Sequence, residues 1–506
     1  MESAKTVKHP ERGIGFDWGL IVVALVMALL FWARMDLAMS TPYLTYDSYL
    51  SVRSVDNLHQ TGFPLRIDPL SITGHERITN PAFEYLLALV TWISPLAYKV
   101  LPNLFMVLLL LPVYLIARRL TKSRLFALVA VILAGTGPLL FARYIATPSP
   151  VPLAIFLLLS ALSLLHDADK HMFLLVFCLI ALAFLHPIIF VLALALLIMM
   201  LLLRVEGFDI GGRINEVFFF TLLLAVWFYV LVYKKALFAF GINTLWQNLP
   251  NEYLVSSFGS VSPLTMLYGL GIVTFLFGTV GVYHALFETR DRESYTVVAA
   301  IIAAVFLFVV RAMPVDLSLV LLTPLLAIMA SYGVQVIGTY LRRTRIRWSV
   351  YPLTFLLIVF FIFSALIPAL ANAHRELNNV PTEGEVTAYR ALGQILPESA
   401  VLLTTVREAV AVQYYSGHRT VTDEDFLLVH NGNELVNDID AVYTARFVSN
   451  VLGKADKLGF DSILFSPEAQ RQYARDQLLI DSSSCVTSTR AGTAQLYTIT
   501  CHGGTA

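Results

Sequence analysis

The sequence predicts an α-helical polytopic membrane protein with an α/β domain at its C-terminal end. Three observations lead to this fold class. Hydrophobic residues make up 57% of the 506 residues and charged residues only 14%, whereas about 25% of the residues of a soluble domain are charged. Apolar runs of membrane-spanning length recur as far as residue 371. From residue 372 onward, the composition changes to that of a soluble domain.

The apolar runs predict about eleven transmembrane helices, because a helix needs about 20 apolar residues to cross a membrane. The run across His186 and Pro187 is too long for one helix, so we expect a tight hairpin at these two residues. The runs lie at residues 18–34, 100–117, 125–142, 150–165, 172–185, 187–203, 217–233, 264–287, 296–310, 317–341 and 350–371.

The basic residues predict how the helices are oriented, since Lys and Arg favour the cytoplasmic side. Lys5, Lys8 and Arg12 precede the first run, whereas Lys234 and Lys235 are an exception on the other side. Five loops with basic residues fall on the same side as the N-terminus: 118–124, 166–171, 204–213, 288–294 and 342–347. We therefore expect a multi-pass protein of the cell membrane with a cytoplasmic N-terminus and an extracytoplasmic C-terminal domain.

The C-terminal region, 372–506, alternates apolar strand-like segments such as AVLLTT and FDSILFS with amphipathic helical segments. This alternation predicts a small α/β domain. The last segment, CVTSTRAGTAQLYTITC, is typical of a hairpin with Cys485 and Cys501 at its ends. Outside the cytoplasm these cysteines can form a disulfide; the alternative is two unpaired thiols. Cys178 falls within an apolar run, where we expect it to contribute to packing.

A long polar loop, residues 37–99, separates the first two apolar runs. A plain connection needs only a few residues, so this length suggests a function. Its end, PAFEYLLALVTWISPLAYKV, predicts an interfacial helix with Trp92 and Tyr98 at headgroup depth. The charged side chains that could contact phosphate or sugar, or could instead hold the loop together, include Arg66, Asp68 and His75.

This loop resembles the first outer loop of oligosaccharyltransferase catalytic subunits, which belong to the GT-C glycosyltransferase superfamily. The resemblance extends, with weaker matches, to residues 141–159 and 388–426. Members of that family carry an aromatic-Asp-x-Tyr element, an Arg soon after it, and a Gly-x-Pro, an Asp and a Pro before an interfacial helix. The matching residues in this sequence are Tyr46, Asp47, Tyr49, Arg53, Gly62, Pro64, Asp68 and Pro81.

The resemblance implies a GT-C fold, with residues 1–371 as the transmembrane domain and 372–506 as the extracytoplasmic domain. It also implies a sugar donor linked to a polyprenyl phosphate or pyrophosphate, with membrane lipid and a protein or lipid acceptor as further partners. Asp47 would take the catalytic role and bind Mg or Mn. From the residues alone, Asp47 could equally be the cap of the helix that follows it.

Further residues are candidates for binding the substrate or the lipid phosphate. Arg143 ends an apolar run, where the alternative is an arginine whose charge reaches the membrane surface. Glu252 is the candidate for a glutamate that the family carries in a later outer loop, and could instead be merely solvated. Arg311 could replace a family arginine at the position of Leu317, or be an ordinary boundary arginine. The full set is Arg53, Arg66, Asp68, His75, Arg143, Glu252 and Arg311.

The sequence also departs from the family at two motifs. Where the family carries a second acidic pair, residues 146–152 read ATPSPVP, which contains no carboxylate. Where the family carries the Trp-Trp-Asp-Tyr-Gly motif that reads the glycosylation sequon, residues 404–408 read TTVRE. Because Mg and Mn favour several oxygen ligands, a lone Asp47 makes a poor metal site. These differences argue against a standard metal-dependent N-glycosylation enzyme.

The leading hypothesis is a membrane glycosyltransferase that uses a polyprenyl-phosphate-linked sugar, with Asp47 as the base or as the acid that orients the acceptor. Such an enzyme could also work without a metal, with arginines stabilising the phosphate leaving group. The alternative is an inactive paralogue that binds a glycolipid or a partner protein. A transporter fits less well, because the charges cluster at the membrane boundary rather than at the midplane. Lys and Arg together number 35, as do Asp and Glu, so the net charge gives no indication of nucleic-acid binding.

Overall fold

A computed structural model of the chain describes residues 17–74, 76–78, 80–208, 212–245, 249–259, 262–343, 359–480 and 485–501. His75, one of the predicted binding residues, and residues 350–358 of the last predicted span lie outside this set.

The described residues include seven helices that are long and apolar enough to cross a membrane. The predicted class, a helical polytopic protein with a C-terminal α/β domain, is therefore confirmed, although the count of eleven spans is not. The first sixteen helices are α1 Trp18–Met39, α2 Ser48–Thr61, α3 Ala82–Thr91, α4 Ala97–Leu108, α5 Leu110–Thr121, α6 Arg124–Gly135, α7 Pro138–Ala142, α8 Val151–Leu165, α9 Ala168–Leu185, α10 Ile189–Val205, α11 Gly212–Phe240, α12 Asn251–Phe258, α13 Pro263–Leu270, α14 Ile272–His284, α15 Arg292–Val309 and α16 Val315–Arg343.

Prolines set several of the helix ends. The predicted hairpin is present: α9 ends at Leu185, and His186 adopts an extended backbone with φ −159° and ψ 143°, as expected before a proline. The predicted single run over 125–142 is wrong. It divides into α6 and α7 because Pro138, which has no N–H to donate, occupies the first turn of a new helix.

The interfacial helix expected at the end of the first loop is shorter than predicted. Helix α3 ends at Thr91, and Trp92 beyond it is 85% exposed. Tyr98 lies in α4 and is buried. The two aromatic residues therefore have different surroundings.

Helix α16 lies at the centre of the helical part, and helix α14 packs closely against it. Within the apolar part of α16, 89% of the residues are buried, compared with 11% for α1. A Cβ atom added to Gly281 would lie 2.0 Å from the Met329 carbonyl oxygen, and one added to Gly333 would lie 2.2 Å from the Phe277 carbonyl oxygen. Glycine at both positions allows the two backbones to approach each other, as small residues do in membrane helix pairs.

The C-terminal part contains a five-stranded sheet formed by β1 Val401–Leu403, β2 Arg419–Thr420, β3 Ser462–Phe465, β4 Val486–Ala491 and β5 Ala494–Ile499, in the order β2-β1-β3-β5-β4. Strand β1 is parallel to both β2 and β3, whereas β5 runs antiparallel to β3 and β4. A disulfide joins Cys485 to Cys501 beside the β4–β5 hairpin. The remaining helices are α17 Ile367–Leu377, α18 Glu383–Ile395, α19 Ala409–Ser416, α20 Gly432–Tyr443, α21 Val448–Leu458 and α22 Pro467–Tyr473.

The first loop is attached to the edge of this sheet. The backbone N–H of Ile72 donates to the carbonyl oxygen of Thr420 at 3.0 Å, and the N–H of Thr420 donates to the carbonyl oxygen of Leu70 at 2.9 Å. The Tyr49 hydroxyl lies 2.7 Å from that of Tyr415 on α19. These contacts hold the start of α2 against the C-terminal domain.

Candidate active site

Asp47 lies immediately before helix α2 and faces a cavity. It occupies the N-cap position, but its side chain makes no capping hydrogen bond. Instead, the Thr45 hydroxyl donates to the Asp47 carboxylate at 2.6 Å, and the same hydroxyl lies 2.9 Å from that of Thr147. The predicted alternative, a side-chain cap, is therefore absent. Thr147 brings a hydroxyl group from the loop that lacks the acidic pair.

Arg143 lines the same cavity from the end of helix α7. Its guanidinium group donates to both carboxylate oxygens of Glu376 on α17, at 3.1 and 3.0 Å, and also pairs with Asp316 at the start of α16. The side chain keeps 27% of its surface exposed. Arg143 thus joins three helices and still presents part of its charge to the cavity.

The C-terminal domain contributes three charged residues from the carboxyl ends of its parallel strands. Arg407 follows β1, Glu424 follows β2 and Glu468 follows β3. Arg407 donates to Glu468 at 2.9 Å, and its guanidinium carbon lies 5.7 Å from the ring centroid of Tyr46. Ligand sites of α/β sheets form at this edge, because the loops that follow parallel strands meet there.

Two adjoining cavities connect these residues. The smaller has a volume of about 170 Å³ and is lined by Asp47, Arg143, Glu376, Arg407 and Glu424, among others. The larger has a volume of about 720 Å³ and includes Glu252 of helix α12. Their linings share Asn379, Arg407 and Glu424. The larger volume falls within the range of small-molecule sites, about 300–1,000 Å³.

Two of the glutamates that line the cavities, Glu424 and Glu252, have raised pKa values. Burial raises the pKa of Glu424 to about 8, and the negative charge of Asp47 adds to this effect. Burial and the neighbouring Asp440 also raise the pKa of Glu252. The smaller cavity thus combines a carboxylate that can accept a proton, a carboxylic acid that can give one, and two guanidinium groups suited to an anion.

The residues present do not fit the Mg or Mn ion implied by the sequence resemblance. Among the described residues, no group of three or more His, Cys, Asp or Glu side chains is arranged to hold a metal ion. Glu376 is bound to Arg143, and a second guanidinium group, that of Arg407, also lines the cavity. A divalent cation needs several oxygen ligands, which this set does not offer.

Arg53 and Asp68 lie outside both cavities. Their ion pair is buried, with 9% and 0% of the two side chains exposed, and Arg53 also donates to Gln413 on α19. These contacts agree with the alternative hypothesis, in which such charged residues stabilise the structure of the loop.

Arg66 and Arg311 also line neither cavity. Arg66 donates to Glu76 at 2.6 Å on the surface, and Glu76 also pairs with Lys235. Lys235 thus has a partner on the first loop, although it broke the pattern of basic loops. Arg311 is exposed just after helix α15 and has a left-handed backbone with φ 56°.

Three residues of the site, Arg407, Glu424 and Glu376, were not predicted from the sequence. Arg407 stands in the segment read only as a missing sequon motif, and Glu424 in the run TVTDEDF after a short strand. The usable signal for Arg407 was its position after the strand-like segment AVLLTT; strand β2, which precedes Glu424, was not predicted. Glu376 had no comparable signal, because its role depends on the place of Arg143.

Several solved structures resemble this chain in fold. No protein-family model and no curated protein matches the sequence. Among solved structures, the apo oligosaccharyltransferase of Archaeoglobus fulgidus is similar, with a TM-score of 0.68 and 15% identity over 90% of this chain and 70% of that chain. The same values hold for this archaeal enzyme, AglB, in complex with an inhibitory peptide and a dolichol-phosphate.

A second similar structure is ArnT from Cupriavidus metallidurans bound to undecaprenyl phosphate. The TM-score is 0.53 and the identity 13%, over 96% of this chain and 99% of that chain. AglB and ArnT are both GT-C glycosyltransferases. The chain therefore has the GT-C fold that its resemblance to oligosaccharyltransferase catalytic subunits predicted.

Proposed function

We propose that this chain is a membrane glycosyltransferase that takes a sugar from a polyprenyl phosphate or pyrophosphate at the outer membrane face. The observation that supports this most directly is the smaller cavity, which Asp47, Arg143 and Arg407 line together. A carboxylate beside two guanidinium groups suits a reaction in which an acceptor loses a proton while a phosphate departs.

The donor side is proposed to be the wall that carries Arg143 and Arg407. Guanidinium groups form paired, charge-assisted hydrogen bonds to phosphate. Similar folds have been solved with dolichol-phosphate and with undecaprenyl phosphate, which supports a polyprenyl lipid as the carrier. Removing one preorganised donor from a site of this kind typically costs about 100- to 1,000-fold in rate.

The reaction step is a displacement at the anomeric carbon. The acceptor group gives its proton to the Asp47 carboxylate and forms a bond to the anomeric carbon. The bond from that carbon to the phosphate oxygen breaks, and its electron pair leaves with the phosphate toward Arg143 and Arg407. No metal takes part in this proposal, because the residues present do not fit one.

The acceptor is proposed to be a protein or lipid group other than the asparagine of a glycosylation sequon. Arg407, at the place of the sequon-reading motif, lines the cavity, while the neighbouring Thr405 and Glu408 are buried. In the proposed topology the N-terminus is cytoplasmic and residues 372–506 form the extracytoplasmic domain. The transmembrane domain would then comprise residues 1–371.

Mass spectrometry of lipids that co-purify with the protein from its own membranes tests the donor. We expect polyprenyl phosphate on the wild type, partly carrying a sugar. In Asp47→Asn, which keeps the size of the side chain but cannot accept the proton, we expect the sugar-loaded fraction to rise. Asp56→Asn is the matched control, since Asp56 lies on the same helix outside both cavities.

Two outcomes would contradict the proposal. Ordinary phospholipid alone in every sample would remove the support for a donor site. Equal sugar-loaded fractions in the wild type and in Asp47→Asn would instead support the alternative, a paralogue that binds a glycolipid without turning it over.

A further inference from the structure

Glu424 is the acidic residue of its loop whose side chain is uncommitted. The loop reads Thr422-Asp423-Glu424-Asp425. Asp423 accepts a hydrogen bond from the backbone N–H of Asp425 at 2.9 Å, and Asp425 pairs with Arg77 at 3.4 Å. Among the described residues, no hydrogen bond or ion pair to the Glu424 carboxyl group is present, although Glu424 lines both cavities.

The other glutamates near the smaller cavity already have cationic partners. Glu376 accepts two hydrogen bonds from Arg143. Glu468 accepts from Arg407 and from Arg471, each at 2.9 Å. Glu424 and Asp47 are therefore the two carboxyl groups left for a substrate in this cavity.

Two negative charges in so small a space raise each other's energy, which favours the neutral form of a buried carboxyl group. The cavity volume is about 170 Å³. Glu424 is the better site for that proton, because burial and the facing Asp47 raise its pKa to about 8. Asp47 is the one of the two that already accepts a hydrogen bond, from the hydroxyl group of Thr45.

We propose that Glu424 is the general acid of the transfer reaction and Asp47 its general base, the two acting on opposite sides of one displacement. This inference rests on the proposed function. Asp47 takes the proton of the acceptor group as the new bond to the anomeric carbon forms. Glu424 gives its proton to the phosphate oxygen as the bond from that oxygen to the anomeric carbon breaks. The sum of charges and protons is unchanged, and exchange with water returns both groups to their starting states.

The C-terminal domain therefore supplies a reacting group to a site whose base lies on the first loop. Removal of a general acid typically slows a reaction about 100- to 10,000-fold. A variant without the acid should accordingly keep its donor lipid bound while failing to consume it.

The test is the sugar-loaded fraction of co-purified polyprenyl phosphate, measured by mass spectrometry on proteins isolated from the same membranes. Glu424→Gln keeps the shape of the side chain and its hydrogen-bond donor, but has no proton to release. Asp47→Asn is the reference for blocked transfer. Glu398→Gln is the matched control, because Glu398 is an exposed glutamate of the same domain.

We expect Glu424→Gln to accumulate sugar-loaded lipid as Asp47→Asn does, with Glu398→Gln at the wild-type level. The double variant should accumulate no more than either single variant, since the two groups act in one step. A wild-type fraction in Glu424→Gln alongside accumulation in Asp47→Asn would overturn the role of Glu424 and leave the proposed function standing. Absence of polyprenyl lipid from all samples would instead overturn the proposed function itself.

The amount of bound polyprenyl phosphate also shows whether a variant is folded. Retention of polyprenyl phosphate by Glu424→Gln shows that the donor site is formed, which a purely structural defect would not allow. If Glu424→Gln loses the lipid, Glu424→Ala and Glu424→Asp provide the second measurement. Transfer restored in Glu424→Asp but not in Glu424→Ala supports an acid, and equal behaviour of the two contradicts it.

Discussion

Asp47 shows how a single position can serve a helix and a site at once. It stands where an aspartate usually caps a helix, yet its carboxylate turns toward the cavity and accepts from Thr45. The N-terminus of α2 still carries a partial positive charge, which favours an anion within the first turn. Leaving the cap bond unmade therefore costs the helix little electrostatic stabilisation and keeps the carboxylate available.

Glu408 provides a residue-scale prediction. Its carboxyl group is fully buried and accepts from the Tyr389 hydroxyl at 2.9 Å and from the Thr405 hydroxyl at 3.0 Å, and burial raises its pKa to about 7. Between its ordinary pKa of 4.5 and about 7, the folded state binds the proton more often than the unfolded state. The free energy of unfolding should therefore fall as pH rises through this window, by at most about 3 kcal/mol, and level off above it.

Thermal unfolding of detergent-solubilised protein at about pH 5 and about pH 8 measures this slope. Glu408→Gln should make the slope smaller, because the amide does not titrate, while the part that comes from Glu424, whose pKa burial raises to about 8, should remain. Glu398→Gln, at the exposed position used above, should keep the wild-type slope. A full slope in Glu408→Gln would show that other groups produce it.

At the scale of elements, one buried ion pair connects α2 to its own loop and to the C-terminal domain. Arg53→Ala would leave Asp68 buried without its cationic partner. Such a loss typically costs about 3–5 kcal/mol. Arg66→Ala breaks an exposed pair in the same loop and should cost less than about 1 kcal/mol. Urea or thermal unfolding in detergent separates the two values.

The double variant Arg53→Met with Asp68→Asn extends this test. It leaves no buried charge unpaired, so it should be more stable than Arg53→Ala. The Asp68→Asn substitution also keeps a side-chain oxygen for the Leu70 N–H, which donates to Asp68 at 2.9 Å in the wild type. Equal losses for Arg53→Ala and Arg66→Ala would mean that the pair contributes nothing beyond surface electrostatics.

The sequence predicted most of the helices, but it did not predict which distant segments meet at the site. Hydrophobic length predicted most helices, and a proline marked the hairpin after α9. The break between α6 and α7 at Pro138 was not predicted, because a single proline hardly changes the composition of an apolar run. Asp47 was predicted from the family pattern and Arg143 from its place at the end of an apolar run, whereas Arg407 and Glu424 become neighbours of Asp47 only through strand pairing between distant segments.

At the scale of the whole molecule, the disulfide provides a test of topology. A membrane-impermeant maleimide on intact cells should label the protein only after reduction, if Cys485 and Cys501 face the outside. The Cys485→Ser, Cys501→Ser variant is the control, because Cys178 is buried among the helices. Labelling that requires permeabilised membranes would show the opposite orientation.

The disulfide closes a segment with a sequence separation of 16, for which about 3 kcal/mol of stabilisation is expected.

The hydrogen bonds between the first loop and the edge of the sheet also have a consequence for biosynthesis. The side chain of Gln413, on helix α19 just before that edge, also donates to the Leu70 carbonyl oxygen, and these two residues lie 343 residues apart in the chain. At roughly 5–20 residues per second, the ribosome needs about 20 to 70 s to deliver the second partner. Throughout that interval the loop has left the ribosome while the strand it pairs with does not yet exist. The backbone groups of Leu70 and Ile72 must remain hydrated until the C-terminal domain arrives, which makes assembly of the site a late event in maturation.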